Sequence, residues 1–300
     1  MKHLLTWAQI SDYKERYKTN ILLVMKICVA FACLWFIYSK VSFEEIKWET
    51  FSLGFSRPIL MVFVIILMPF NWSLEAERWR VAVDEEPLTF RESISKILAG
   101  LALNWVVPFT LGDAGGRLIG VLNYQKSGIA LVKNRMIMLV ITVVFGAGSV
   151  MFYYQVLSLR AIGIFIIIIV AIALFLSNRL PKLILTKEIV ILSLLRYLIF
   201  TIQFIVLLYL FLPELKYEVI IFGVGWIFLF RTIIPSLFGN FGVRESSAIL
   251  YFEPHVADLN LVLIPCLLIW IINTVIPSIV GSYFVFNWKT NQSQKKPQSD

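Results

Sequence analysis

The chain has 300 residues, of which 59% are apolar and only 15% are charged, and its mean hydropathy is +0.82. Soluble domains have close to half apolar and about a quarter charged residues, so this composition excludes an ordinary soluble domain. The net charge of +8 comes from Lys and Arg residues that mostly flank apolar blocks. Because they form no basic stripe in a soluble domain, they exclude nucleic acid as a partner and favour anionic lipid headgroups.

Long apolar blocks predict an all-α polytopic membrane protein, with residues 21–287 as one integral membrane domain. Roughly 17–25 apolar residues cross a hydrocarbon core of about 30 Å. Six segments reach this length and are predicted to be full spans: 21–39, 58–76, 136–155, 160–177, 189–211 and 259–286. Residues 1–20 are predicted to form a cytoplasmic amphipathic segment, and the polar residues 288–300 a disordered cytoplasmic tail.

The distribution of Lys and Arg predicts the orientation, because short cytoplasmic loops carry an excess of both. The N-terminal segment, the segment between the second and third spans and the C-terminal tail are all basic. We therefore expect these three on the cytoplasmic side of the cell inner membrane, and the acidic stretch 253–258 outside. The cysteines and histidines lack the spacing of metal ligands, so neither a metal ion nor another cofactor is expected.

Two further apolar regions, 97–121 and 217–251, are each interrupted in the middle by Pro and Gly. The first interruption reads VVPFTLGDAGGR over 106–117, and the second reads IIPSLFGNFGVR over 233–244. Pro, two Gly, an Asp or Asn and an Arg recur at one offset without a gap. This recurrence indicates an internal repeat, with halves at about 58–155 and 189–286.

Re-entrant hairpins at both interruptions would make the two halves inverted copies of each other. The first hairpin would enter from the cytoplasm and the second from outside, and the basic tail would return to the cytoplasm. If 217–235 instead crossed the membrane fully, the basic tail would lie outside, which the charge rule disfavours.

Polar residues around the interruptions are the candidate substrate-binding residues. Irregular backbone at membrane depth is tolerated only where it is buried in protein or lines a wet cavity, and the helix ends that Pro and Gly expose favour anions. The candidates are Asn104, Pro108, Gly112, Asp113, Arg117, Arg135, Pro235, Gly239, Asn240, Gly242, Arg244 and Glu245. Asn104, one turn before Pro108, is expected to satisfy a backbone group freed at the break. Arg135 has two alternative explanations: its side chain snorkels to the interface, or it lies at the mouth of the cavity.

The competing interpretation is that these charges form structural pairs at the ends of the hairpins. Other charged residues are assigned structural roles. The run 78–80 is interpreted as an interfacial anchor, with Glu75 and Glu77 as partners of its two arginines. Arg196 and Gln203 are seven positions apart, and we expect them to share a helix face that points into the bundle.

A set of short motifs follows one order along the chain: Glu77, Arg78, Trp79, Arg80, Leu103, Asn104, Pro108, Gly112, Asp113, Arg117 and Arg135, then Pro235, Gly239, Gly242, Arg244 and Glu245. In this order the motifs resemble the flippase-like transmembrane domain of lysylphosphatidylglycerol synthases and its stand-alone relatives, over about residues 20–287. Asp113 stands where that family has Glu, and Thr110 where a basic residue is common, which leaves the headgroup preference open.

The resemblance implies translocation of a lipid, with aminoacylated phosphatidylglycerol and polyprenyl-linked lipids as substrate classes. In the two-domain relatives a separate soluble domain performs the aminoacyl transfer. This chain ends shortly after its last predicted span, so we expect a transporter-like protein and not an enzyme.

The expected function is therefore that of a lipid flippase or scramblase, whose partner is a phospholipid or another anionic or zwitterionic lipid. Arg117 and Arg244 would hold the phosphate, whereas Asp113 and Glu245 would meet a cationic headgroup or carry a proton. The sequence has no GxxxxGK[ST] loop, which leaves an ion gradient or passive exchange as the energy source.

Two alternatives stay open at this point. One is a membrane-embedded lipid-modifying transferase or hydrolase, and the other is a non-transporting accessory subunit of a cell-envelope lipid pathway. A homo-oligomer, or a separate lipid-modifying enzyme as a further partner, is compatible with either.

Overall fold

The computed structural model of the protein describes residues 20–21, 24–41, 56–83, 88–107, 111–121, 123–179, 187–235 and 240–294. All regular elements in these ranges are helices, of which the first, α1, comprises residues 24–40. The others follow in chain order: α2 (Pro58–Ala82), α3 (Phe90–Leu103), α4 (Leu111–Leu118), α5 (Tyr124–Tyr153), α6 (Leu159–Arg179), α7 (Lys187–Phe211), α8 (Tyr217–Ile233), α9 (Val243–Phe252), α10 (Asn260–Trp270), a π-helical segment (Ile271–Val275) and α11 (Ile276–Gln294).

Four stretches of helix in the described chain are long and apolar enough to cross a membrane: Pro58–Ala82, Tyr124–Tyr153, Lys187–Phe211 and Asn260–Asn287. They confirm an all-helical architecture with membrane spans, and they coincide with four of the six predicted ones. The predicted spans 21–39 and 160–177 coincide with α1 and α6, and stay predictions as spans. The helix that contains the third predicted span, α5, begins earlier, at Tyr124, where the Asn123 side chain accepts a hydrogen bond from the Lys126 N–H.

Each interrupted region folds as two helices on either side of the break, α3 with α4 and α8 with α9. The first pair begins at Phe90, seven residues before the predicted start. The reason is a capping box, in which the Thr89 hydroxyl accepts from the Glu92 N–H and the Glu92 carboxylate accepts from the Thr89 N–H. Pro108 and Gly239, two of the candidate residues, lie outside the described residues.

The helices pack in a regular set of pairs. α2 packs along α7, α3 along α11, and α5 along α8. The contact between α3 and α11, and that between α3 and α4 within the first broken pair, are close backbone approaches that only glycine allows. A Cβ on Gly116 of α4 would lie 2.3 Å from the Cα of Gly100 in α3, and one on Gly281 of α11 would lie 1.9 Å from the carbonyl oxygen of Leu98.

A buried polar network joins α2, α7 and the π-helical segment. Gln203 donates to the carbonyl of Val64 at 2.7 Å and accepts from Asn273 at 2.9 Å, and Asn71 lies 3.4 Å from the Asn273 side-chain oxygen. Gln203 is fully buried, which confirms that its helix face points into the bundle. By contrast, the outward face of α2 is apolar and exposed, as Ile59 and Val62 show, and this face suits contact with lipid.

The two ends of the chain were predicted to be an amphipathic segment and a disordered tail. The amphipathic N-terminal segment, 1–20, lies outside the described residues except for its last residue. At the other end, α11 continues to Gln294, so the first residues of the tail predicted to be disordered, 288–294, are helical. A helix can extend beyond the membrane through Lys and Gln residues because these are good helix formers.

Candidate functional site

A cavity of about 490 Å³ lies between the first broken helix pair, α2, α5, α7 and the end of α8. Seven of its lining residues are charged: Glu75, Arg78, Asp113, Arg117, Arg135, Arg196 and Arg231. Asn104, Asn134, Thr142, Thr232 and Asn240 add uncharged polar groups. The cavity is therefore a polar site inside a bundle of apolar helices.

Glu75 is the centre of the charged network. Its side chain is only 2% exposed. Its Oε1 lies 2.5 Å from Nη2 of Arg117, and its Oε2 lies 2.6 Å from Nη2 of Arg78 and 3.1 Å from Nη1 of Arg196. Arg78 also donates to the Ser193 hydroxyl at 3.2 Å. A carboxylate at this depth is stable only with such partners, so Glu75 ties α2 to α4 and α7.

Asp113 is the second carboxylate of the cavity and belongs to the first turn of α4. Its two oxygens accept from Nε of Arg117 at 2.8 Å and from Nη2 of Arg135 at 3.1 Å. Its backbone N–H donates to the Asn104 side chain at 2.8 Å, which confirms that Asn104 satisfies a backbone group freed at the break. The Arg135 side chain is 46% exposed, and this exposure places it at the rim of the cavity.

The cavity has more positive than negative charge. Five arginines face two carboxylates, a formal excess of three positive charges. Arg231 lies over the rings of Phe228 and Phe200, at 5.0 and 5.2 Å from the centroids, and has no carboxylate partner among the described residues. Buried Nη1 of Arg117 and Nε of Arg196 have no hydrogen-bond partner among the described residues. These groups give the cavity an unmet capacity to bind an anion.

The second interruption contributes less to the cavity than expected. Arg244 is buried and paired with its neighbour Glu245, whose other oxygen accepts from the Gly242 N–H at 2.8 Å. Gly242 has φ +86°, a left-handed conformation that favours glycine. None of these three residues lines the cavity, nor does Pro235; Asn240 does. The structure thus places Arg117, but not Arg244, at the cavity.

The first interruption brings its candidates together. Asn104, Asp113, Arg117 and Arg135 all line the cavity. Gly112 has a packing role, because a Cβ there would lie 2.3 Å from the backbone nitrogen of Asn104. The start of α4 thus packs tightly against the end of α3, and Asp113 and Arg117 of α4 line the cavity.

Four charged residues of the cavity were not among the candidates: Glu75, Arg78, Arg196 and Arg231. The interpretation of Arg78 as an interfacial anchor was wrong, because α2 continues to Ala82 and Arg78, only 3% exposed, packs inside the bundle. The expected pairing with Glu75, and that of Arg80 with Glu77, is confirmed. Arg231 had a signal in the sequence, since it precedes its Pro by four positions, as Asn104 does in the first copy.

Among the described residues, no group of three or more His, Cys, Asp or Glu side chains could hold a metal ion. The chain matches no known protein family, no curated protein and no solved structure. The cavity itself is thus the basis for a functional proposal.

Proposed function

We infer that the protein binds a lipid with an anionic headgroup in the five-arginine cavity and moves it between the two leaflets of the membrane, as a flippase or scramblase. The observation that carries this proposal is the excess of positive charge among apolar helices of spanning length. Each charged group at membrane depth costs about 2.5–3.5 kcal/mol on insertion scales, so an unneutralised excess points to a function.

Anion binding is the chemistry that suits these groups. Guanidinium groups present several N–H donors in a planar fork that matches phosphate oxygens, and such charge-assisted hydrogen bonds are stronger than neutral ones. The carboxylates of Glu75 and Asp113 fix Arg78 and Arg117 in place. Arg231 has no carboxylate partner among the described residues, and Nε of Arg196 has no hydrogen-bond partner among them, so both side chains can still bind a ligand.

The packing of the helices supports the inverted repeat that we propose for the mechanism. Exchanging the two halves exchanges α2 with α7, α3 with α8, and α5 with the last span. If each helix is replaced by its counterpart, the packed pair α2 and α7 remains the same pair. The packed pair α3 and α11 becomes α8 and α5, which also pack against each other. Halves related in this way can rock against each other and open a shared cavity to either side, which is how inverted-repeat transporters work.

The proposal includes six spans, two re-entrant hairpins and an N-terminus on the cytoplasmic side of the inner membrane. Lys40 at the end of α1 lies 2.6 Å from Glu253 after α9, so these two ends share one side of the bundle. That agrees with a cytoplasmic N-terminus, which puts the end of the first span outside, and with the acidic stretch 253–258 outside. The resemblance to the flippase-like domain of lysylphosphatidylglycerol synthases is part of the same proposal. The proposal also includes transport that ATP does not drive.

Lipid exchange in proteoliposomes tests the proposal. Headgroup-labelled anionic lipids are followed across vesicles that contain equal amounts of native protein, Arg196→Gln or Arg231→Gln. Arg80→Gln is the matched control, because this exposed arginine pairs with Glu77 on the same α2 helix and does not line the cavity. We expect native protein and the control to accelerate exchange, and both cavity variants to lose most of it. Native protein that matches empty vesicles, with and without an ion gradient, would refute transport.

A further inference from the structure

Two cavity arginines are held in place without being neutralised. Arg196 lies 5.5 Å over the Trp72 ring and meets a single carboxylate oxygen, that of Glu75 at 3.1 Å, among the described residues. Arg231 rests on Phe228 and has no carboxylate there at all. Aromatic faces attract cations and position a guanidinium, but they do not supply hydrogen-bond acceptors. Both side chains are thus positioned, and neither has a carboxylate of its own among the described residues, so both can bind an added anion.

Between these two arginines lies a recess of about 60 Å³, beside the 490 Å³ cavity and sharing Met138 and Thr142 with it. Two buried polar atoms among its lining residues have no hydrogen-bond partner in the described part of the chain: Nε of Arg196, which is a donor, and Oδ1 of Asn71, which is an acceptor. Buried polar groups without partners are uncommon and costly, so a ligand that supplies both an acceptor and a donor would stabilise this recess.

We propose that the recess takes the terminal phosphate of a lipid, a phosphomonoester or the end of a diphosphate, and that Arg196 and Arg231 are its direct ligands. A terminal phosphate offers oxygens to both guanidinium groups, and when singly protonated it offers a hydroxyl to Asn71. A phosphodiester has no such hydroxyl when ionised, and it carries a second substituent that the small recess excludes. The part of this inference that the phosphate belongs to a lipid rests on the function proposed above.

Ligand-induced thermal stabilisation of the purified full chain in detergent tests the recess without relying on transport. The probes are dioctanoyl phosphatidic acid, dioctanoyl phosphatidylglycerol and inorganic phosphate. The variants are Arg231→Gln, Arg231→Lys and the control Arg80→Gln. Native protein and the control should bind phosphatidic acid at least roughly tenfold more tightly than phosphatidylglycerol, and Arg231→Gln should lose roughly tenfold or more of that affinity. Arg231→Lys should recover part of it, because the charge remains but the planar fork does not.

The arms of the experiment separate the sources of phosphate. If phosphatidic acid binds more tightly than inorganic phosphate, by tenfold or more, the site is assigned to a lipid headgroup. If the two affinities are equal, the site is assigned to free phosphate, and the lipid assignment is overturned. Equal binding of phosphatidic acid and phosphatidylglycerol, or native-like binding by Arg231→Gln, overturns the terminal-phosphate site. Transport can fail in the exchange assay while this binding persists, so the two proposals are distinguishable.

Discussion

The Nη2 atom of Arg117 lies 2.5 Å from Oε1 of Glu75, a residue that is 42 positions earlier in the chain. This contact joins the helix after the first break to the middle of the packed face of α2. The same carboxylate holds Arg78 and Arg196. Glu75 is thus the carboxylate that Arg78, Arg117 and Arg196 share.

Glu75→Gln should therefore destabilise the protein strongly. Removing one partner of a buried ion pair costs about 3–5 kcal/mol, because the remaining charge is left buried and uncompensated. Here three guanidinium groups lose their shared carboxylate. Chemical or thermal unfolding in detergent would measure the change.

The matched control is Glu77→Gln, two positions along the same helix. The Glu77 and Arg80 side chains are 31% and 46% exposed, and an exposed pair is worth about 0–1 kcal/mol. Equal losses of stability in the two variants would contradict the central role of Glu75.

Two adjacent glycines in α4 should respond oppositely to Ala. A Cβ on Gly116 would meet the Gly100 backbone at 2.3 Å, whereas a Cβ on Gly115 would meet no atom of the described residues within 4 Å. Gly115→Ala should be neutral or stabilising by up to about 1 kcal/mol, since Ala is the better helix former. Gly116→Ala should cost about 1–3 kcal/mol or more, because α4 must move away from α3.

The same pair of variants can be compared in lipid exchange. Moving α4 shifts Arg117 away from Glu75, so Gly116→Ala should reduce exchange, and Gly115→Ala should retain it. Native-like exchange and stability in Gly116→Ala would contradict the close packing of the first broken pair.

The sequence was sufficient to predict the long helices and the breaks. Apolar runs of spanning length have one common explanation, and Pro with several Gly inside such a run interrupts a helix for stereochemical reasons. The placement of Asp113 and Arg117 beside a cavity could be predicted in the same way, because both follow the first break directly.

The convergence on Glu75 could not be predicted from local patterns. Contacts of Glu75 with Arg117 and Arg196 depend on how three helices pack, and no periodicity encodes that. The pairing of Arg244 with Glu245 is also unexpected, because neighbours on a helix do not face each other. It forms because Glu245 turns back to cap the Gly242 N–H, and this brings its carboxylate beside Arg244.

Arg244→Gln should thus act on stability more than on ligand binding. The substitution leaves Glu245 buried without its cationic partner, at a cost of about 3–5 kcal/mol. Phosphatidic acid binding by the folded fraction should stay within a few-fold of native, in contrast to Arg231→Gln. A loss of binding in a fully stable Arg244→Gln variant would show that the second break reaches the ligand.

The ion pair between Lys40 and Glu253 makes a prediction about topology. In a background without Cys28, Cys33 and Cys266, Lys40→Cys and Glu253→Cys should both react with an impermeant maleimide added to intact spheroplasts. Lys126→Cys, at the start of α5, should react only after permeabilisation. Reaction of Glu253→Cys only from the cytoplasm would refute the inverted arrangement of the two halves.

The π-helical turn between α10 and α11 determines the rotational phase of the last span. A π turn holds one residue more than an α turn, so the helix beyond it is rotated by about 100° relative to a continuous α-helix. Asn273 within this turn meets Gln203, while Gly281 beyond it meets Leu98 of α3. The inserted residue thus lets one helix satisfy two partners on different faces of the bundle. Deleting one residue from Ile271–Val275 would leave either the polar network or the glycine contact out of phase.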